Sequence, residues 1–209
     1  MAYLSLKNVS KIIKHQPVLH EINLDVEKGE IVALAGENGS GKTMLCRAVL
    51  AFIKTSGTIT LDGKKVVFNE QLPVSAGTII ETPNFIPNYT ALDNLKYLAA
   101  IRHQIGEAEI IEAMQVFGLD KKKDQKVRDF SLGMRQKLAI VQAFMEKPDL
   151  LVLDEPTNAL DAKAVGTFIN LIKQLQKAGI TTLFTTHDPQ LLSQLPDRCY
   201  HLVDGGLEA

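Results

Sequence analysis

The sequence predicts an α/β fold: a mainly parallel core sheet covered by helices, opened by an antiparallel β region and interrupted by a helical subdomain. Three observations predict it. An apolar run at residues 31–35 passes into a glycine-rich turn and then a helical repeat of Leu45, Ala48 and Val49. A second apolar run, residues 150–153, ends on two carboxylates, Asp154 and Glu155. After residue 148, strands alternate with helices, the pattern of a parallel sheet with both faces covered.

Each element has a local reason. Apolar and polar residues alternate over 3–9 and 18–26, as in antiparallel strands, before Lys28, Gly29 and Glu30 punctuate the entry to the buried strand at 31–35. After the first helix, residues 58–61 and 66–68 flank Asp62 and Gly63 as a hairpin. A short buried run at 78–80 ends at Glu81. The composition then turns helical. Thr90 with Asp93 has the form of a capping box ahead of Leu95, Leu98 and Ala99; Ile110, Ile111, Met114 and Phe117 mark a second helix stopped at Gly118; Ser131 caps a third that ends before Pro148. The strand at 150–153 follows, then a helix over about 161–178 closed by Gly179, a strand at 180–185, a helix capped by Asp188 and Pro189, and a last strand at 198–203. The chain reads as one domain, residues 1–209, with a core of 1–83 and 148–209 and a helical subdomain of about 84–147.

Bulk properties narrow the function. At 209 residues the chain has the size of one domain with a large core, and 45% hydrophobic with 22% charged residues is a soluble globular composition. A net charge of -1 gives no pull toward nucleic acid, and no nucleic-acid partner is expected. The chain start lacks the apolar region of a signal peptide, and no run is long enough to span a bilayer. Cys46 and Cys199 provide neither a disulfide framework nor zinc spacing and suit a reducing cytosol. The expected compartment is the cytoplasm.

The turn after the first core strand carries the chemistry. Its residues are Gly36, Glu37, Asn38, Gly39, Ser40, Gly41, Lys42 and Thr43. The glycines let the backbone turn its amides inward, where they and the positive end of the new helix hold phosphate oxygens. Lys42 reaches the outer phosphates, and the Thr43 hydroxyl is a ligand for magnesium. Asp154 and Glu155 stand at the carboxyl end of a buried strand, the edge where open α/β sheets bind ligands. Asp154 suits the magnesium shell, directly or through water, since a hard cation prefers oxygen. Glu155, one residue on, faces a water poised against the terminal phosphate and is the expected general base.

With these motifs in place, the chain resembles the ATP-binding subunit of an ATP-binding cassette (ABC) transporter along essentially its whole length. Phe130, Ser131, Leu132, Gly133, Met134, Arg135 and Gln136 align with the family signature, usually Leu-Ser-Gly-Gly-Gln. Pro156, then Asn158 to Asp161, match the segment after the acids, and His187 after Thr185 and Thr186 matches the switch histidine. The resemblance implies the ABC ATPase form of the P-loop NTPase fold, with ATP and Mg²⁺ as its ligands. It also implies a head-to-tail dimer, of identical or different chains, that sandwiches two ATP molecules. Each nucleotide would then meet residues 36–43 of one chain and Ser131 with Gly133 of the other, while His187 senses the terminal phosphate. A separate transmembrane permease is the implied partner, placing the chain on the cytoplasmic face of the cell membrane. The groove around residues 81–89 is where such families dock that partner. Residues 85–95 with 131–134 resemble the branch of bacterial antibiotic and peptide exporters. Two other readings stay open: a soluble ABC ATPase that drives assembly or repair, with weak net charge and the lack of an inserted coiled coil disfavouring a DNA-handling version, and a regulatory module that senses ATP without turning it over, which Glu155 and His187 disfavour.

Four features depart from the family pattern. Leu132 and Met134 replace a signature Gly and Gln, while Ser131 and Gly133 are retained. Glu81 stands where a Gln is common; a carboxylate there ligates magnesium but repels the terminal phosphate without it. The aromatic that stacks adenine should fall near Ile12 or Ile13, and neither is aromatic; either base selectivity is loose or His15 substitutes. Lys121, Lys122, Lys123, Lys126 and Arg128 form a basic run that reads as a solvated face rather than a lipid or nucleic-acid site.

Overall fold

The computed structural model describes residues 2–208; Met1 and Ala209, inside the predicted domain limits, lie outside the described residues. In chain order the strands are β1 (Leu4–Ile13), β2 (Gln16–Val26), β3 (Ile31–Ala35), β4 (Ser56–Leu61), β5 (Lys64–Lys65), β6 (Ala76–Ile79), β7 (Leu150–Leu153), β8 (Thr181–Thr186), β9 (Arg198–Val203) and β10 (Gly206–Glu208). The helices are α1 (Lys42–Val49), α2 (Ala91–Arg102), α3 (Glu107–Gln115), α4 (Leu132–Phe144), α5 (Ala162–Lys177) and α6 (Pro189–Gln194). Among the described residues the strands form two sheets, ordered β2-β1-β4-β5 and β10-β9-β3-β8-β7-β6.

The first sheet is antiparallel and the second is parallel apart from its β9–β10 edge. Central parallel strands are covered on both faces, which is why β3, β7 and β8 are buried at every residue. Side-chain alternation along β3 divides the core. Val32 and Leu34 pack with α1 and the antiparallel sheet, through Leu45, Val49, Leu6 and Leu24. Ile31 and Ala33 face the other layer, with Leu138, Phe168 and Phe184. The helices of residues 91–144 join that layer, and α4 presses closely on β6: a Cβ at Gly77 would stand 1.8 Å from the Ala143 carbonyl oxygen. Only a glycine admits this approach.

Local signals worked with small displacements. The Thr90 hydroxyl accepts from the Asp93 amide at 3.0 Å, while the Asp93 carboxylate bonds back to that hydroxyl at 2.7 Å rather than to the backbone. Asp62 and Gly63 both have positive φ, forming the tight hairpin turn that pairs Leu61 with Lys64. The strand expected at 66–68 is therefore displaced: the return strand begins right after the turn and ends at Lys65, leaving Val67 and Phe68 exposed. The second insert helix stops at Gln115, so Phe117 falls in the following turn. Strand β10, three residues long, is too short to leave a pattern.

The starts of β6 and β7 are tied by one polar exchange. The Ser75 hydroxyl donates to Asp149 Oδ2 at 2.5 Å and accepts from the Asp149 amide at 2.9 Å. That side-chain bond, opposed by partial burial and helped by the Ser75 amide, holds the Asp149 carboxyl below its ordinary range. A depressed carboxyl stabilises the fold above its unfolded pKa of about 3.9, and the effect is lost as pH falls through the lower folded value. Ser75→Ala should therefore cost about 1 kcal/mol near neutral pH. In urea melts, the gap from the parent chain should narrow below about pH 4.

Candidate functional site

Strand β3 delivers the chain into residues 36–41, which wrap back over the start of α1. Gly36 has φ 150°, and a Cβ there would meet the Leu202 carbonyl oxygen at 2.4 Å. Gly41, with φ 107°, would meet the Val18 carbonyl oxygen at 2.7 Å. Lys42 is buried inside the loop it follows, donating from Nζ to the carbonyls of Gly36 at 2.7 Å and Glu37 at 2.9 Å. The Ser40 hydroxyl is buried without a hydrogen-bond partner. Asn38, Gly39, Lys42, Thr43, Asp154 and Glu155 help to line a cavity of about 190 Å³ above the loop.

The acid pair at the end of β7 is held from two sides. Thr43 Oγ1 donates to Asp154 Oδ2 at 2.7 Å, and Thr185 Oγ1, from β8, donates to Asp154 Oδ1 at 2.8 Å. The Glu155 amide donates to the same Thr185 oxygen at 2.9 Å. Glu155 turns out of the strand with φ 47°, and its Oε1 lies 3.0 Å from His187 Nδ1 and 3.8 Å from Lys42 Nζ. A buried ammonium and a glycine-built loop at a helix start fit a polyphosphate. The hydroxyl and carboxylate oxygens of Thr43 and Asp154 fit a hard divalent cation.

Other expected residues lie apart from this cluster. Glu81, at φ 57°, is paired with Arg47, whose Nη2 is 2.7 Å from Oε1. It shares with Leu132, Gln136, Asp154 and Glu155 the lining of a neighbouring cavity of about 320 Å³. Ser131 caps α4, its hydroxyl accepting from the Met134 amide at 3.2 Å, and Gly133 abuts the Ala159 carbonyl. Neither Ser131 nor Gly133 lines the loop cavity of its own chain. Ile12, 65% exposed, pairs with Pro17 beside the cavity-lining Val18, whereas His15 sits in the β1–β2 turn. The basic run is largely exposed, with Lys123 on Asp124 and Arg128 on Asp129, as a solvated face requires.

Three contacts of the site escaped sequence reasoning. Arg47 is the partner of Glu81, and Gln136 donates from a buried Nε2 to the Pro156 carbonyl at 2.8 Å, joining α4 to the acid segment. Thr185 was visible only as a residue preceding His187; the structure buries it fully near the end of β8.

The family model described as ABC transporter matches residues 19–158. This chain belongs to the ABC transporter family. The cassette is 42% identical over 202 residues to the uncharacterized ABC transporter ATP-binding protein YybJ of Bacillus subtilis (strain 168), covering 96% of this chain and 93% of the relative. It is 37% identical over 194 residues to the bacitracin transport ATP-binding protein BcrA of Enterococcus faecalis, covering 91% of this chain but 63% of that longer relative. Among solved structures, the dimeric structure of MJ0796, a bacterial ABC transporter cassette, superposes with a TM-score of 0.91 at 26% identity, over 99% and 97% of the two chains. The same cassette in a dimeric post-hydrolysis state bound to ADP and Pi gives a TM-score of 0.88 at the same 26% identity, again over 99% and 97%. The ABC ATPase fold and the resemblance to antibiotic and peptide transport proteins are thus borne out.

Two of the three loop glycines, Gly36 and Gly39, are separable by experiment. Gly36→Ala forces the Leu202 backbone to move and should cost about 2–4 kcal/mol, with nucleotide binding weakened by about tenfold or more. Gly39→Ala meets nothing within 4 Å and should cost only the left-handed backbone penalty of about 1–2 kcal/mol. Thermal melts and binding of a fluorescent ATP analogue read both.

Proposed function

We propose that this cassette is the ATP-hydrolysing subunit of a membrane transporter, energising export of a substrate through a separate permease subunit from the cytoplasmic face of the membrane. The observation that carries the reading is the convergence of Lys42, Thr43, Asp154, Glu155 and His187 at one sheet edge, with separations of 2.7 to 3.8 Å. Among the described residues no helix is long and apolar enough to cross a membrane, so a spanning path must be supplied by other residues. Relatives named for bacitracin and lantibiotic transport support a transport role.

Residues 36–43 hold the phosphates through backbone amides, and Lys42 exchanges its loop carbonyls for outer phosphate oxygens. Thr43, Asp154 and Glu81 would be the oxygen donors for Mg²⁺, which when bound would neutralise phosphate charge. Glu81, held here by Arg47, would have to leave that pair to serve. Glu155 orients the attacking water and takes its proton, as the bond from water oxygen to the terminal phosphorus forms and the bond to the ADP oxygen breaks. His187 orients the Glu155 carboxylate and senses the terminal phosphate. Ser131 and Gly133 complete the site from a second cassette, identical or related, so ATP closes the pair and hydrolysis releases it.

Glu155→Gln should retain ATP and a closed dimer while phosphate release falls by about a hundredfold or more; rapid turnover would remove Glu155 from the role of base. Glu81→Gln should strengthen ATP binding measured without metal, and unchanged binding would end the repulsion argument. Purification of the tagged chain from gently solubilised membranes of its own host should recover an integral membrane protein with several spanning helices. A soluble partner instead would favour the assembly or repair ATPase.

A further inference from the structure

We propose that Thr185 is a positioning residue that sets the acid pair of the cassette through a single buried hydroxyl. The inference rests on the hydrolytic reading above and extends it to a residue outside the recognised motifs. Thr185 has no exposed surface, and its oxygen is shared between Asp154 Oδ1 at 2.8 Å and the Glu155 amide at 2.9 Å. The direction of both bonds is forced. An amide N–H only donates and an ionised carboxylate only accepts, so the one hydroxyl proton points at Asp154 and a lone pair takes the Glu155 N–H.

Asp154 is thus held on both oxygens, Thr43 donating to Oδ2 and Thr185 to Oδ1, and two hydroxyls fix the carboxylate against rotation. A cation at Thr43 would take a lone pair of that oxygen and leave its proton for Oδ2, whereas Thr185 is fully buried and holds Oδ1 from β8. The same oxygen pins the Glu155 amide where the backbone takes its left-handed turn at φ 47°. The end of β8 and the residue just beyond it thus grip Glu155 at both ends, by the amide through Thr185 and by the carboxylate through His187. A metal-shell acid and a general base would otherwise be set independently; here one hydroxyl couples them.

The test compares Thr185→Val, which keeps the branched shape and removes the hydroxyl, with Thr185→Ser, which keeps the hydroxyl and removes a methyl. For Thr185→Val, kcat should fall about tenfold to a hundredfold, and the Mg²⁺ concentration that half-saturates ATP binding should rise about fivefold or more. ATP binding without metal should stay within about twofold, since the loop is untouched. Thr185→Ser should keep kcat within about threefold of the parent chain. A folded Thr185→Val with the parent's turnover and Mg²⁺ requirement would overturn the proposal, as would a serine variant as impaired as the valine one. Should the valine variant not fold, Thr185→Ala against Thr185→Ser isolates the hydroxyl at similar size, and equal Mg²⁺ titrations in that pair would also overturn it. Absence of phosphate release from the parent chain tells against the hydrolytic reading instead, and the Mg²⁺ titration of ATP binding then judges Thr185 without reference to turnover.

Discussion

Parallel pairing of three fully buried strands decides where every group of the site stands. Ala35 at the end of β3 pairs with Thr186 of β8, and Leu153 at the end of β7 pairs with Phe184. One step beyond those pairs come Gly36, Asp154 and the approach to His187, so three segments far apart in sequence finish at one edge. A slip of one residue in either pairing would reverse the side-chain faces of a strand. Thr185 would then leave Asp154, and the acids would no longer face the loop. The extensive apolar burial on both sheet faces stabilises a register whose visible product is polar.

Electrostatics at that edge follow from the packing. Lys42 is buried in a loop whose carbonyls accept its protons, and the nearest Glu155 oxygen is 3.8 Å away. A buried ammonium without partners would be strongly unfavourable. Carbonyl partners satisfy it while leaving it exchangeable, because neutral acceptors compete poorly with phosphate oxygens. The acids are held differently: Asp154 is bonded on both oxygens by hydroxyls, and Glu155 is held through Oε1 by His187.

How much of this was readable from the sequence depends on the range of the physics involved. The loop and the acid strand were legible because their function needs contiguous residues: glycines at fixed steps, then Lys42 and Thr43, and two acids after four apolar residues. Caps were legible for the same reason, as with Thr90, Ser131 and Asp188, each of which accepts from an amide two or three residues on. Contacts made by register were not. Thr185 reaches Asp154 across 31 positions, Arg47 reaches Glu81 across 34, and Gln136 reaches Pro156 across 20. Strand β5 was misplaced because Val66, Val67 and Phe68 carry the stronger strand propensity, yet the turn at Asp62 and Gly63 pairs the lysines first.

The anchoring of α4 has a consequence for the proposed pair of cassettes. Gly133 lies against the Ala159 carbonyl and Gln136 holds the Pro156 carbonyl, so the start of α4 is fixed to the segment that leaves the acids of its own chain. Ser131 does not line its own loop cavity, and a contact between its hydroxyl and ATP calls for the loop of another copy. Each cassette then contributes to two sites through one rigid unit, running from Asp154 to Ser131. A shift of Glu155 would be passed through residues 156–159 to the start of α4. Leu132, 56% exposed, stands on the first turn of that helix. A leucine here in place of the smaller glycine puts apolar surface beside the polar contacts of Ser131, so closure would bury it and separation would return it to water.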